Sequence, residues 1–143
     1  MNILNIPFHQ YLKLRNHPTD EYIFEMDENP ECQNHIGTIH ACVQLALAEA
    51  SAGAFLQQQF PASESNIVPV VRSTEVKYHR PAQGTLYARC AFGNSGVDDA
   101  LQELNTKNRT LLKVKSEVFD AGKNKVLTAW FEWFLARRNS ETK

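Results

Sequence analysis

Glu49 is the residue whose surroundings in the sequence most clearly suggest chemistry. It lies in a segment with helical spacing, and no other charge stands on its side of the predicted helix. A carboxylate in such a stripe is buried or faces a cavity, and carboxylates in clefts are a common form of general base. The alternative is a glutamate held by a structural hydrogen bond or lying on a helix surface of small residues. The neighbours three, four and seven positions away are Cys42, Leu45, Ala46, Ala52, Gly53 and Leu56.

A polar loop runs into the start of this helix and offers hydrogen-bond donors. The first backbone N–H groups of a helix have no partner within the helix, and with the helix dipole they stabilise a developing oxyanion. Asn34, in the loop, adds a donor in its side-chain amide. The alternative is an asparagine that stabilises an ordinary turn before a helix.

The spacing between the loop and the carboxylate predicts a site shared by two chains. His40 and Glu49 are nine positions apart, which places them about 13 Å apart along a helix and on opposite sides of it. They cannot both reach one substrate atom from a single helix. If they serve the same reaction, the loop belongs to one chain and the carboxylate to a symmetry-related copy.

The composition describes one domain without excess charge. The chain has 143 residues, of which 43% are hydrophobic and 22% charged, and its formal net charge is -1. Such a chain can bury one sizeable core and is too apolar to be disordered. The near-neutral balance predicts no nucleic-acid partner and no membrane partner, because those surfaces attract basic proteins. We therefore expect a single domain over residues 1–143 that binds its ligand in a shaped site.

The cysteines and the apolar segments predict a cytoplasmic location. Cys32, Cys42 and Cys90 form an odd, irregularly spaced set, which favours a reducing compartment over a disulfide framework. The first residues lack the basic and apolar regions of a signal peptide. The most apolar segment, residues 41–56, is shorter than the roughly 20 apolar residues of a membrane span.

Helical spacing dominates the first half of the chain. Residues 7–15 predict a short helix and Tyr22–Met26 a short strand. A polar loop over residues 27–38 ends at Thr38, a candidate helix cap. Residues 39–60 then predict a long helix whose many small side chains let the rest of the fold pack closely around it.

Alternating apolar residues dominate the second half and predict strands. The turn residues 81–84 indicate a hairpin between the first two strands, and a longer hairpin ends the chain. The last strand is apolar on both faces, so it needs cover on both, from the long helix and from a partner subunit. The predicted elements are strands at 68–80 and 86–92, a helix at 98–107, and strands at 109–119 and 125–137.

Three short motifs resemble those of the hotdog-fold thioesterase superfamily. That family has an Asn, then five residues, then His-Gly-Gly, followed along the helix by Leu-Ala-Asp or Leu-Ala-Glu. Here the pattern is Asn34, His40-Ala41-Cys42 and Leu47-Ala48-Glu49 with both spacings kept, and the segment 78–88 resembles the family's strand-turn-strand. The sequence is most similar to small acyl-CoA thioesterases of the phenylacetate-degradation type and to a related uncharacterised hotdog branch.

The resemblance implies an α+β hotdog fold and an acyl-CoA thioesterase. A curved antiparallel sheet would wrap the long helix, with a core over about residues 20–138, in a homodimer or homotetramer. Asn34 and the backbone N–H of Ala41 would hold the thioester carbonyl, and His40 would orient the loop. Glu49 of the other chain would act as general base on water, or as nucleophile.

The resemblance identifies few residues that would bind the substrate. No resident cofactor is implied, since coenzyme A enters as part of the substrate. Its phosphates need cations, and Arg80 beside the family-like turn is the preferred candidate over Lys77, Arg89, Lys107 and Arg109. Helix residues such as Leu45 and Phe55, with aromatic residues of the last strand, would line the acyl tunnel.

Two departures from the family pattern leave other readings open. Ala41-Cys42 replaces the glycine pair, and glutamate replaces the commoner aspartate. The leading alternative is therefore a noncatalytic hotdog module that binds acyl-CoA or dimerises. A hotdog dehydratase is a third reading, although the sequence lacks a His-Phe-Pro motif.

A zinc site is the remaining alternative. Cys32, His35, His40 and Cys42 have the residue types that bind zinc, but their spacing does not match a standard finger. We therefore predict no metal site.

Overall fold

The computed structural model describes residues 1–139 of the chain. Three short 3-10 turns, Ile3–Asn5, Pro30–Cys32 and Ala62–Glu64, connect the larger elements. In chain order these are α1 (Pro7–Tyr11), β1 (Arg15–Asn16), β2 (Phe24–Met26), α2 (Ala41–Gln59), β3 (Ile67–Tyr78), β4 (Leu86–Phe92), α3 (Val97–Lys107), β5 (Arg109–Phe119) and β6 (Lys125–Arg137).

Helix α2 is buried on most of its circumference, as its small side chains predict. Small residues let the sheet approach the helix backbone closely, so the helix serves as the central core element. It ends at Phe60, where the backbone becomes extended before a proline. The buried residues of α2 are Gln44, Leu47, Ala48, Ala50, Ser51, Ala52, Gly53, Ala54 and Leu56.

The prediction that Thr38 caps α2 is wrong. The N-cap is His40, whose Nδ1 accepts a hydrogen bond of 3.0 Å from the N–H of Cys42. Thr38 is unavailable because it is buried and bonded to Asn34. Its neighbour Ile39 forms an isolated bridge with Gln33, which keeps the backbone extended until residue 40.

The six strands form one antiparallel sheet in the order β1-β2-β4-β5-β6-β3. The sheet curves around α2, which confirms the predicted α+β architecture. In β6 the odd-numbered residues from Leu127 to Leu135 are buried against the helix side, as predicted. Strand β3 lies at one edge and, among the described residues, pairs only with β6.

The predicted hairpin between the strands now labelled β3 and β4 is wrong. Both strands exist, but β5 and β6 lie between them in the sheet. The segment 79–85 does not turn back on β3, because His79 donates to the carbonyl of Val126 and the carbonyl of Ala82 accepts from Ile39, each at 2.9 Å. These bonds lead the chain across the end of the sheet and past the start of α2.

The N-terminal helix is shorter than the predicted 7–15. It ends at Tyr11, and Lys13 has a φ of 57°, a left-handed conformation that a helix cannot continue through. The residues before it lie along α2, where Gln57 Nε2 donates to the carbonyl of Met1 at 2.6 Å. None of the helices within residues 1–139 has both the length and the apolar character needed to cross a membrane.

Removing a side chain from the α2 core should destabilise the protein strongly. Leu47 is fully buried between helix and sheet, so Leu47→Ala should lower the free energy of unfolding by about 2–5 kcal/mol. Leu111, on the opposite sheet face, is 38% exposed, and Leu111→Ala should cost less. Chemical denaturation measures both, and equal losses would contradict the assignment of the core to the helix side.

Candidate functional site

The loop before α2 is held by Asn34. Its Oδ1 accepts hydrogen bonds from the N–H groups of Ile36 (3.1 Å) and Thr38 (3.0 Å), and its Nδ2 donates to Thr38 Oγ1 (2.8 Å). Gly37 sits in the left-handed region at φ 76°, which closes the turn. Since an amide nitrogen carries two hydrogens, one donor of the half-buried Asn34 is left over for a ligand.

The start of α2 presents a backbone donor beside this loop. Ala41 is the first helical residue, and within residues 1–139 its N–H meets no hydrogen-bond acceptor. His40 orients the junction: its N–H donates to the carbonyl of Cys32 at 2.8 Å, while its ring accepts from Cys42. These two bonds fix the backbone at the junction, and the role of His40 in orienting the loop stays a prediction. The hydroxyl of Tyr78 also donates to the carbonyl of Ala41 at 3.3 Å, so the end of β3 lies against the helix start.

Basic side chains follow Tyr78 at this end of the sheet. His79 shares a 2.8 Å hydrogen bond with Thr128 Oγ1. Burial of the ring, followed by the nearby charges of Lys77 and Lys125, lowers the pKa of His79. Arg80 is exposed and close enough to act in the same direction. Glu117, which forms an ion pair with Lys125, offsets part of this positive charge, so the exposed Lys77 and Arg80 are the cations available to an anion.

Glu49 is exposed and lines an open groove of about 880 Å³. The exposure of its side chain excludes burial, and it is compatible both with the predicted cavity and with the alternative of a helix surface of small residues. The groove lies between α2, the start of β3, the end of β6 and the residues before α1. Its apolar walls are built by Met1, Ile3, Ile6, Ala50, Gly53, Leu56, Phe60, Pro61, Ala62, Ile67, Val68, Pro69, Trp133 and Leu135.

The residues predicted to line an acyl tunnel have different positions relative to this groove. Leu45 and Phe55 do not line the groove. Phe55 instead packs against Phe92, with ring centroids 5.0 Å apart. Trp133 of the last strand does line it. Gly53 and Ile6 were not identified from the sequence as lining residues. The glycine in the middle of a helix could have indicated a place where another group approaches the helix closely.

One chain does not bring all the predicted site residues together. Glu49 lines the groove, whereas Asn34, His40, Ala41 and Arg80 do not. The loop, the helix start and the basic cluster lie at one end of α2, and the carboxylate is more than two helical turns further along. A site that uses all of them needs a second chain.

The cysteines and histidines form no metal cluster in the part of the chain that is described. Residues 1–139 contain no group of three or more His, Cys, Asp or Glu placed to hold an ion. Cys32 is buried, Cys42 is exposed, and all three cysteines are free. Burial raises the pKa of the Cys90 thiol to about 12.

A family model described as a domain of unknown function, DUF4442, matches residues 12–135. The chain belongs to the DUF4442 family. No curated protein matches the sequence.

Solved structures identify the fold of this DUF4442 protein. A Pseudomonas aeruginosa protein of unknown function, described as a probable thioesterase, has a TM-score of 0.79 at 20% identity over 95% of this chain and 91% of that one. A Haemophilus influenzae thioesterase has a TM-score of 0.75 at 14% identity, covering 98% and 90%. A Bacillus halodurans protein solved with CoA has a TM-score of 0.63 at 17% identity, covering 78% and 69%. These likenesses confirm the hotdog fold.

Thiol labelling should distinguish the three cysteines of this DUF4442 protein. Cys42 is exposed at the start of α2, whereas Cys32 is buried and Cys90 stays protonated because its pKa is about 12. A maleimide at neutral pH should therefore modify one thiol quickly, and Cys42→Ser should remove that fast phase. Fast labelling that persists in the variant, measured by mass spectrometry, would contradict the structure of this region.

Proposed function

We propose that this protein hydrolyses an acyl-CoA-type thioester with Glu49 as the general base. The observation that carries the proposal is a solvent-accessible carboxylate in the wall of a largely apolar groove. Such a groove suits an acyl chain, and a carboxylate at its wall can activate the water that attacks the adjacent carbonyl.

The reaction follows from the donors at the start of α2. Glu49 takes a proton from water as the water oxygen attacks the thioester carbonyl carbon. The carbonyl oxygen becomes negative and is stabilised by the Ala41 N–H and the remaining amide hydrogen of Asn34. The carbon–sulfur bond then breaks, and the thiolate leaves and takes up the proton. The products are a carboxylic acid and free thiol.

The site is proposed to form between two copies of the chain. Glu49 and the oxyanion donors lie at separate places on one helix, so the partner subunit's Glu49 would complete the site of the first chain. The long edge strand β3 favours such pairing, because an exposed strand edge offers unpaired backbone groups to another chain. Closure by a two-fold axis then gives two equivalent sites.

The basic cluster suits the phosphates of coenzyme A. Arg80 is the proposed contact, because it is exposed, follows Tyr78 and lies near the helix start. The similar Bacillus halodurans structure was solved with CoA, and this supports a CoA ester as the proposed substrate class.

Variants of a Staphylococcus aureus relative point to the same pair of positions. That protein, 10% identical and with TM-scores of 0.70 and 0.71, was crystallised with alanine at a glutamine and at a glutamate fifteen residues apart. Asn34 and Glu49 are also fifteen residues apart. The shared interval of an amide and a carboxylate supports the choice of these two residues.

Replacing either residue should abolish most thiol release from acyl-CoA substrates. Glu49→Gln removes the base while keeping its shape, and should lower kcat roughly 10²–10⁴-fold. Asn34→Ala removes an oxyanion donor and should lower kcat roughly 10²–10³-fold. Glu21→Gln, an exposed glutamate on the far side of the sheet, is the matched control and should retain full activity.

Three outcomes of this assay are informative. Activity unaffected by both changes would contradict the assignment of the residues. A wild-type protein that binds acyl-CoA without turnover would identify the noncatalytic module. Substrate-dependent thiol release lost in both variants, with the control unchanged, supports the enzyme.

Mixing the two inactive variants tests the two-chain site. In a mixed dimer of Asn34→Ala and Glu49→Gln, one site keeps both native residues, so random exchange should restore about a quarter of wild-type activity. Mixing Asn34→Ala with the double variant leaves no intact site and should restore nothing. If the first mixture also stays inactive after complete subunit exchange, the site does not combine Asn34 and Glu49 from different chains.

A further inference from the structure

One wall of the groove is built by residues from the start of the chain to α1. Met1, Ile3, Ile6 and His9, here called the N-terminal wall, line the groove across from the α2 residues Gly53 and Gln57. These wall residues precede residue 12, where the match to the family model begins. The wall is therefore a feature of this chain that the family pattern does not describe.

Hydrogen bonds hold the N-terminal wall in place. Gln57 Nε2 donates to the carbonyl of Met1 at 2.6 Å. His9 Nδ1 lies 2.8 Å from the carbonyl of Ile3, and because a carbonyl only accepts, this nitrogen carries the hydrogen. Ile3 also packs against the hydrophobic core. The Gln57–Met1 bond and the packing of Ile3 therefore join the wall to the rest of the fold, and the His9–Ile3 bond holds the wall together internally.

The opposite wall is made of residues with little or no side chain. Gly53 and Ala50 face the groove, and a Cβ added at Gly53 would lie 3.5 Å from the Trp133 ring. From Glu49 to Phe60 the groove follows α2 for about 16 Å. Most of its lining is apolar, although Glu64, Ser65 and Arg138 also line it, so the binding free energy of an acyl chain would come from the apolar area removed from water.

We infer that Ile3 and Ile6 determine specificity for acyl groups with an extended apolar chain. The thioester would lie at Glu49, and the chain would run towards Phe60 between the N-terminal wall and Gly53. The two isoleucines would contact the distal part of the chain and leave the thioester itself untouched. This inference rests on the proposed function for the position of the thioester.

A binding measurement tests the inference without turnover. Non-hydrolysable thioether analogues of acyl-CoA with acetyl and with long straight chains are titrated into the full-length protein by calorimetry. The wild type should bind the long-chain analogue more tightly than the acetyl analogue. The double variant Ile3→Ala, Ile6→Ala should bind the long-chain analogue about tenfold more weakly and should bind the acetyl analogue with unchanged affinity.

Two further variants keep the test decisive. Phe8→Ala is the matched control, since Phe8 lies in the same segment, is 56% exposed and does not line the groove. It should bind both analogues as the wild type does. Gly53→Ala adds a methyl group at ordinary contact distance from Trp133, so the fold should tolerate it while the groove becomes narrower. This variant should lower the affinity for the long-chain analogue only.

Other outcomes overturn the inference. Equal affinity of the wild type for the two analogues would contradict an acyl-chain groove. Isoleucine variants that weaken dimerisation and leave both affinities unchanged would make the groove an interface between two copies. If the isoleucine variants lose the preference for the long-chain analogue but Glu49→Gln still releases thiol, only the proposed catalytic role of Glu49 is wrong. The failure of the catalytic proposal can therefore be told apart from the failure of the acyl-chain inference.

Discussion

The fold depends on the burial of a helix that has too few polar side chains to be stable when exposed to water. Nine of the nineteen residues of α2 are buried, and most of them are small. Small side chains bury little area each, so the sheet must come close and curve around the helix to remove enough apolar surface from water. The inward rows of β5 and β6 cover the helix; Phe131 is among the largest of these strand residues, and Leu47 is a fully buried residue of α2 itself.

The same small residues that admit the sheet also leave the groove open. At Ala50 and Gly53 the helix has no bulk to fill the space above Trp133. A larger side chain at Gly53 would meet the ring of Trp133. Glu49 therefore borders a largely apolar space although it is exposed to solvent.

The strands could be predicted from the sequence because their signals are local. Alternation and turn residues located β4, β5 and β6 to the residue, and β3 and α2 to within two residues of their observed ends. Pairing is not local, so the turn at 81–84 was consistent with a hairpin that the sheet order contradicts. The groove depends on contacts between residues far apart in the chain, such as Met1 with Gln57, which spacing within one helix cannot indicate.

In the candidate site, too, local features could be predicted from the sequence and long-range relations could not. Asn34 lies in the loop and Glu49 on the long helix, as the sequence predicts, whereas His40 was predicted inside the helix and is its N-cap. The combination of Asn34 and Glu49 from two chains is our proposal, and the sequence suggests it only through the angle between positions on one helix.

A crystal structure with a long-chain thioether analogue of acyl-CoA would show where the acyl chain and the sulfur atom bind. The account predicts that the thioether lies between Glu49 of one chain and the Asn34–Ala41 donors of its partner, with the acyl chain in the groove beneath Ile3 and Ile6. An acyl chain bound elsewhere, or a groove filled by side chains of another copy, would contradict it.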